Sequence, residues 1–104
     1  MSRLPQLLKL HAADPADADV PYMIALEHAK QGQVDEALAW LDKTLAIKPT
    51  YCYAYFQKGK LLSEIGRDAQ AKAVIEAGIA AAGRCGDAHA RDELTALLES
   101  VDSA

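Results

Sequence analysis

The side chains able to do chemistry in this chain of 104 residues are few and dispersed. His11, His28 and His89 stand on different segments, with no second His, Cys or carboxylate at a zinc-ligand spacing such as HExxH. A metal needs several donors converging on one point, so no metal site is expected. Cys52 and Cys85 do not form a CxxC pair. Read as like positions at corresponding ends of successive first helices, whose axes pack about 8 to 10 Å apart, they are expected to lie beyond disulfide reach and to stay free thiols. Asp14, Asp17 and Asp19 cluster just before a helix, where solvated capping accounts for them. Serine nucleophile motifs, Gly-rich phosphate loops and paired catalytic carboxylates are absent. The expectation is a protein that is not an enzyme and holds no cofactor.

Bulk properties narrow the remaining classes. Half of the residues are hydrophobic, enough for one domain over residues 1–104 but not for two independent cores. A net charge of −4 without any Lys/Arg block argues against a nucleic-acid surface, which needs clustered cations to displace counterions. Two cysteines are too few for a disulfide-stapled secreted domain, so a reduced, cytoplasmic setting is expected. Lys9 and His11 interrupt the apolar opening residues, which do not read as a signal peptide. The stretch Val74 to Gly83, itself broken by Glu76, is far short of the roughly 20 apolar residues of a membrane span.

What could position functional side chains is a repeat. An interval of 34 residues joins Pro15 to Pro49, Gly32 to Gly66, Ala25 to Gly59, Ala37 to Ala71, Thr44 to Gly78 and Leu41 to Ile75. So many pairs in one phase dictate architecture more strongly than local propensity does. Each period reads as helix, Gly turn, helix, stop. Val20 to Gln31 forms a first helix, with Asp17 and Asp19 at its start, Pro21 in its first turn and Gly32 as its left-handed terminator. Asp35 to Lys48 forms its partner, with Leu38, Leu41, Leu45 and Ala46 on one face and Pro49 as the stop. Tyr51 to Ile65, Gly66, and Asp68 to Ala82 repeat the arrangement before a Gly83, Gly86 break, with Asp68 and Lys72 as an i,i+4 pair. Alternating aromatics from Tyr51 to Phe56 read locally as a strand, and the repeat phase overrides them. A half-repeat helix at 3–13 precedes the pattern. A capping helix at 87–101 follows it, with Ala90, Leu94, Leu97, Leu98 and Val101 in one stripe. The expected fold is all-α, about six helices stacked as antiparallel pairs in a short right-handed superhelix.

These residues resemble the tetratricopeptide repeat. Over residues 18–51 the likeness lies in Ala25, Gly32, Ala37, Leu41 and Pro49, with the Asp-Glu-Ala run at 35–37; over 52–85 it lies in Tyr55, Gly59, Gly66, Ala71, Ile75 and Gly78. Pro21 stands where the family has a bulky aromatic, Lys58 where it has leucine, His28 and Leu62 where it has tyrosine, and Gly83 where it has proline. Gly59 and Gly78 also have a physical reason. Glycine inside a helix costs about 1 kcal/mol against alanine, and close approach of two backbones offsets that cost.

The resemblance implies a protein-protein interaction or scaffolding module. The first helix of each pair lines the family's concave face, and its groove positions map to Asp19, Tyr22, Leu26 and Lys30, then Tyr53, Phe56, Lys60 and Glu64. The i, i+3, i+7, i+11 spacing sets each group on one helix face. An aromatic groove rimmed by lysines suits an extended peptide or a partner helix. Some members hold a partner's terminal carboxylate with Lys and Asn on this face; Tyr22 and Leu26 occupy two of those places here, which argues against that activity. Two alternatives stand beside this reading. Tyr22 and Phe56 are covered by the terminal helices, or the apolar face or an unfilled end pairs with a second copy as a homodimer.

Overall fold

Six α-helices and no strand form within residues 2–103, the part of the chain that the computed structural model describes; residues 1 and 104, the ends of the expected span, lie outside it. The chain divides after Pro49 into two compact units of three helices each.

The first unit holds α1 (Leu4–Ala13), α2 (Asp19–Lys30) and α3 (Val34–Ile47). The Asp17 carboxylate accepts a hydrogen bond from the Asp19 N–H at 2.9 Å, satisfying one of the donors that a helix start leaves open. At the other end of α2, Gly32 adopts φ +76° and the Gln33 N–H reaches back to the His28 carbonyl at 2.9 Å. This six-to-one closure with a left-handed residue is a Schellman end. The chain leaves α3 through Lys48 in an extended conformation, as the residue before Pro49 must.

Leu7, Val20 and Ile24 form the centre of this unit, with Leu4, Met23 and Trp40 packed against them. On α3 the fully buried line is Ala37, Leu41 and Thr44, whereas Leu38 and Leu45 are half-buried and Ala46 is exposed. The expected stripe through Leu38, Leu45 and Ala46 is therefore rotated. Two of the three innermost places go to the small Ala37 and Thr44, which let the helices approach, and Leu38 and Leu45 flank the line.

The second unit holds α4 (Cys52–Glu64), α5 (Asp68–Cys85) and α6 (Ala88–Asp102); α5 packs on both of its neighbours, and α4 also touches α6. The aromatic run from Tyr51 leads into helix, not strand. Gly66 at φ +80° closes α4 as Gly32 closes α2, with the Arg67 N–H on the Leu62 carbonyl at 2.8 Å.

Two of the helical glycines, Gly59 and Gly78, mark close approaches. A Cβ on Gly59 would stand 2.5 Å from Ile75 Cγ1 of α5, and one on Gly78 would stand 2.6 Å from Tyr55 Cβ of α4 and 3.1 Å from Leu94 Cδ2 of α6. Leu94, Ala90 and Val101 are the buried residues of the α6 stripe, with Leu97 and Leu98 half-buried beside them. The Asp87 carboxylate caps α6 by accepting from the Ala90 N–H at 3.0 Å.

The end of α5 also differs from expectation. Helix α5 does not stop at Gly83 but runs to Cys85, and the left-handed terminator is Gly86 at φ +69°, with the Asp87 N–H on the Ala82 carbonyl at 2.9 Å. Glycine is tolerated in a last turn, and without proline nothing forces the helix to end there. Lys72 keeps the attraction of Asp68 one turn away and also binds the Asp102 carboxylate at 2.9 Å, because α6 brings a second carboxylate within reach. That contact is the main reason its ammonium is held above the ordinary lysine range, with Asp68 and Glu76 contributing less.

Candidate functional site

Among the eight residues expected to bind a partner, each unit presents its own four on its first full-repeat helix. On α2, Tyr22 and Leu26 are half-buried between exposed Asp19 and Lys30. On α4, Tyr53 and Phe56 are half-buried, followed by exposed Lys60 and Glu64. Each helix thus carries two apolar side chains that are only partly buried, with charged groups along the same face. Partial burial, then the carboxylates of Glu93 and Asp87 near the start of α6, push the Tyr53 phenol above its ordinary range. The α6 helix therefore borders the first position of the α4 set. Glu27 was not singled out by sequence, yet it is buried, only 7% exposed, and lies 4.0 Å from Lys30 Nζ. Its place one turn before the Gly32 terminator was the available signal.

The scattered histidines take separate local roles. His28 Nδ1 meets Gln33 Oε1 at 2.7 Å across the Gly32 turn, so it supports the helix end. His89 Nε2 lies 2.7 Å from Glu93 one turn on along α6. The His11 ring meets Trp40 edge-on at 5.2 Å, and its buried Nδ1 has no hydrogen-bond partner. Lys43 Nζ lies 4.8 Å from the centre of the Trp40 ring, so α3 holds a cation over the indole that α1 helps to cover. Among the described residues, no three His, Cys, Asp or Glu side chains converge as a metal site would require.

The cysteines overturn the expectation that they lie out of reach. Cys52 Sγ and Cys85 Sγ are 3.8 Å apart, both as free thiols. Cys85 does not begin another first helix but ends α5, the antiparallel partner of α4. In an antiparallel pair the start of one helix lies beside the end of the other, so residues separated by nearly a full period meet. Cys52 also contacts the Thr50 carbonyl at 3.3 Å, and Cys85 contacts that of Ala82 at 3.7 Å. Burial, then the Cys85 thiol and the Asp87 carboxylate, push the Cys52 thiol up to about 11.

The paired helices, left-handed glycine turns and small-residue crossings agree with sequence-family matching: the tetratricopeptide repeat model fits residues 18–51 and 53–84. The chain belongs to the tetratricopeptide repeat family. No curated protein matches the sequence significantly. Solved structures do, a tetratricopeptide repeat domain protein among them. A Salinibacter ruber tetratricopeptide repeat domain protein is 28% identical and superposes with a TM-score of 0.79, over 86% of this chain and 91% of that one. A Bordetella parapertussis protein is also 28% identical, with a TM-score of 0.85 over 99% of this chain and 90% of that one. The Yersinia enterocolitica type III secretion translocator chaperone SycD, at 14% identity and a TM-score of 0.81, covers 92% of this chain and 67% of its own, and shares the fold alone. A tetratricopeptide fold implies protein-protein interaction or scaffolding, and the family is generally non-catalytic and binds protein partners. No described helix is long and apolar enough to cross a membrane.

Proposed function

We propose that the chain is a non-catalytic adaptor that binds a peptide or a partner helix, with the half-buried stripe of α2 in the first unit and that of α4 in the second each serving as a binding surface. The observation that carries this reading is the repeated pairing of half-buried apolar side chains, Tyr22 with Leu26 and Tyr53 with Phe56, with exposed charges on the same helix face. Apolar anchors beside a polar rim suit a surface that releases water on contact while charged groups select orientation. SycD, which has the same fold, is a type III secretion translocator chaperone. The double substitution Tyr22→Ala with Phe56→Ala is expected to abolish capture of a partner from native extract while helicity by circular dichroism is retained. Equal capture by the variant rejects the assignment.

A second reading is favoured by a separate observation. Leu8 and Leu10 of α1 are exposed by 44% and 53%. Such side chains suit pairing with a second copy through the half-repeat helix. Light scattering across a concentration series separates the two, since a strict monomer eliminates self-association.

A further inference from the structure

The thiol pair at the shared end of α4 and α5 belongs to no part of the binding stripes. Cys52 is the first residue of α4 and Cys85 the last of α5, and their sulfurs stand 3.8 Å apart, in contact but unbonded. A disulfide needs about 2.05 Å, so the remaining gap is about 1.8 Å. Both side chains hang from helix termini, and Cys85 is followed by Gly86 in the left-handed conformation, where the backbone leaves the helix. The two sulfurs differ in access. Cys52 is 6% exposed, whereas Cys85 is open to solvent.

We propose that Cys52 and Cys85 are a redox modification site, at which a peroxide oxidises Cys85 and Cys52 then closes an intramolecular disulfide tying the start of α4 to the end of α5. In the first step the Cys85 thiolate attacks one peroxide oxygen. The S–O bond forms, the O–O bond breaks, and the departing hydroxide takes up a proton to become water. Sulfur loses two electrons and peroxide gains them. In the second step the Cys52 sulfur attacks the Cys85 sulfenic acid. The S–S bond forms, the S–O bond breaks, and the released hydroxide combines with the Cys52 proton as a second water. Two thiols and one peroxide thus give one disulfide and two waters; a small-molecule dithiol reverses the reaction by exchange.

The roles are unequal because only the exposed sulfur meets the oxidant directly, while the buried one lies in contact with the product of that meeting. The resulting bond would join residues 33 apart in sequence. It would therefore constrain the unfolded chain strongly, and the oxidised protein is expected to melt roughly 15 °C higher than the reduced one.

The test treats the reduced full chain with equimolar hydrogen peroxide in the presence of dimedone, which traps sulfenic acids. Expected is a mass loss of about 2 Da, a cross-linked peptide joining Cys52 to Cys85, and little dimedone adduct. In Cys52→Ser the adduct accumulates on Cys85, and in Cys85→Ser the remaining thiol stays reduced, with native helicity confirmed for both variants. The proposal is overturned if the wild-type chain keeps both thiols, if it carries the adduct on Cys85 while Cys52 remains free, or if disulfides form only between copies.

Discussion

The Cys52 thiol shows how one buried group carries a pH dependence. Its ordinary value of 9.0 is pushed up to about 11 by burial first and by Cys85 and Asp87 next. Between those values the unfolded chain has released the proton and the folded chain still binds it, so stability falls as pH rises. The contribution is fully present below about pH 9 and is gone above about pH 11. In urea unfolding of reduced protein, the stability difference between wild type and Cys52→Ala is expected to shift against the wild type across this window. A difference that stays constant contradicts the protonated, buried thiol. Iodoacetamide should likewise label Cys85 well before Cys52 in the native chain, because burial both hides the Cys52 sulfur and keeps it protonated, whereas Cys85 is exposed.

Individual helices are held by glycines that do three different jobs, and alanine substitution separates them. Gly78→Ala places a Cβ 2.6 Å from Tyr55 Cβ, an atom fixed to the α4 backbone that moves only if the helix moves. Overpacking of about 1 to 3 kcal/mol outweighs the gain in helix propensity of about 1 kcal/mol, so net destabilisation is expected in a thermal melt. Gly83→Ala meets nothing within 4 Å and lies inside α5. It is expected to stabilise by roughly 0.5 to 1 kcal/mol. Gly66→Ala also meets open space, yet φ there is +80°, and the left-handed backbone makes the change cost about 1 kcal/mol. If the first two variants melted alike, the close crossing of α4 and α5 would be wrong. Leu94→Ala tests the cap: Leu94 is 1% exposed and faces Gly78, so its truncation is expected to cost about 2 to 5 kcal/mol.

At the scale of the whole molecule, the repeat makes most of the helices legible in the sequence. Gly32 and Gly66 could be placed as turns because a period of 34 residues required a break at both, and the structure gives both positive φ. Gly83 misled for the same reason: the period placed a stop there, but a period records where a stop belongs and not whether the local residues enforce one. The eight candidate binding residues could be assigned to two helix faces from spacing alone, and burial shows which are half-covered and which are open. Contacts that depend on pairing between helices were less accessible. The approach of Cys52 to Cys85 follows from the antiparallel sense of α4 and α5 only once Cys85 is known to end a helix, and the edge-on contact of His11 with Trp40 depends on the rotation of α1. Charge supplies the remaining constraint, since −4 without a basic block favours protein over nucleic acid as the partner.

The decisive measurement is backbone-amide chemical-shift mapping of the isotope-labelled chain as it is titrated with the partner recovered by wild-type capture. Perturbations centred on Tyr22 and Leu26 of α2 and on Tyr53 and Phe56 of α4 are expected. Perturbations confined to the second helices α3 and α5, with those four residues unmoved, would contradict the assignment of the partner to the first-helix stripes.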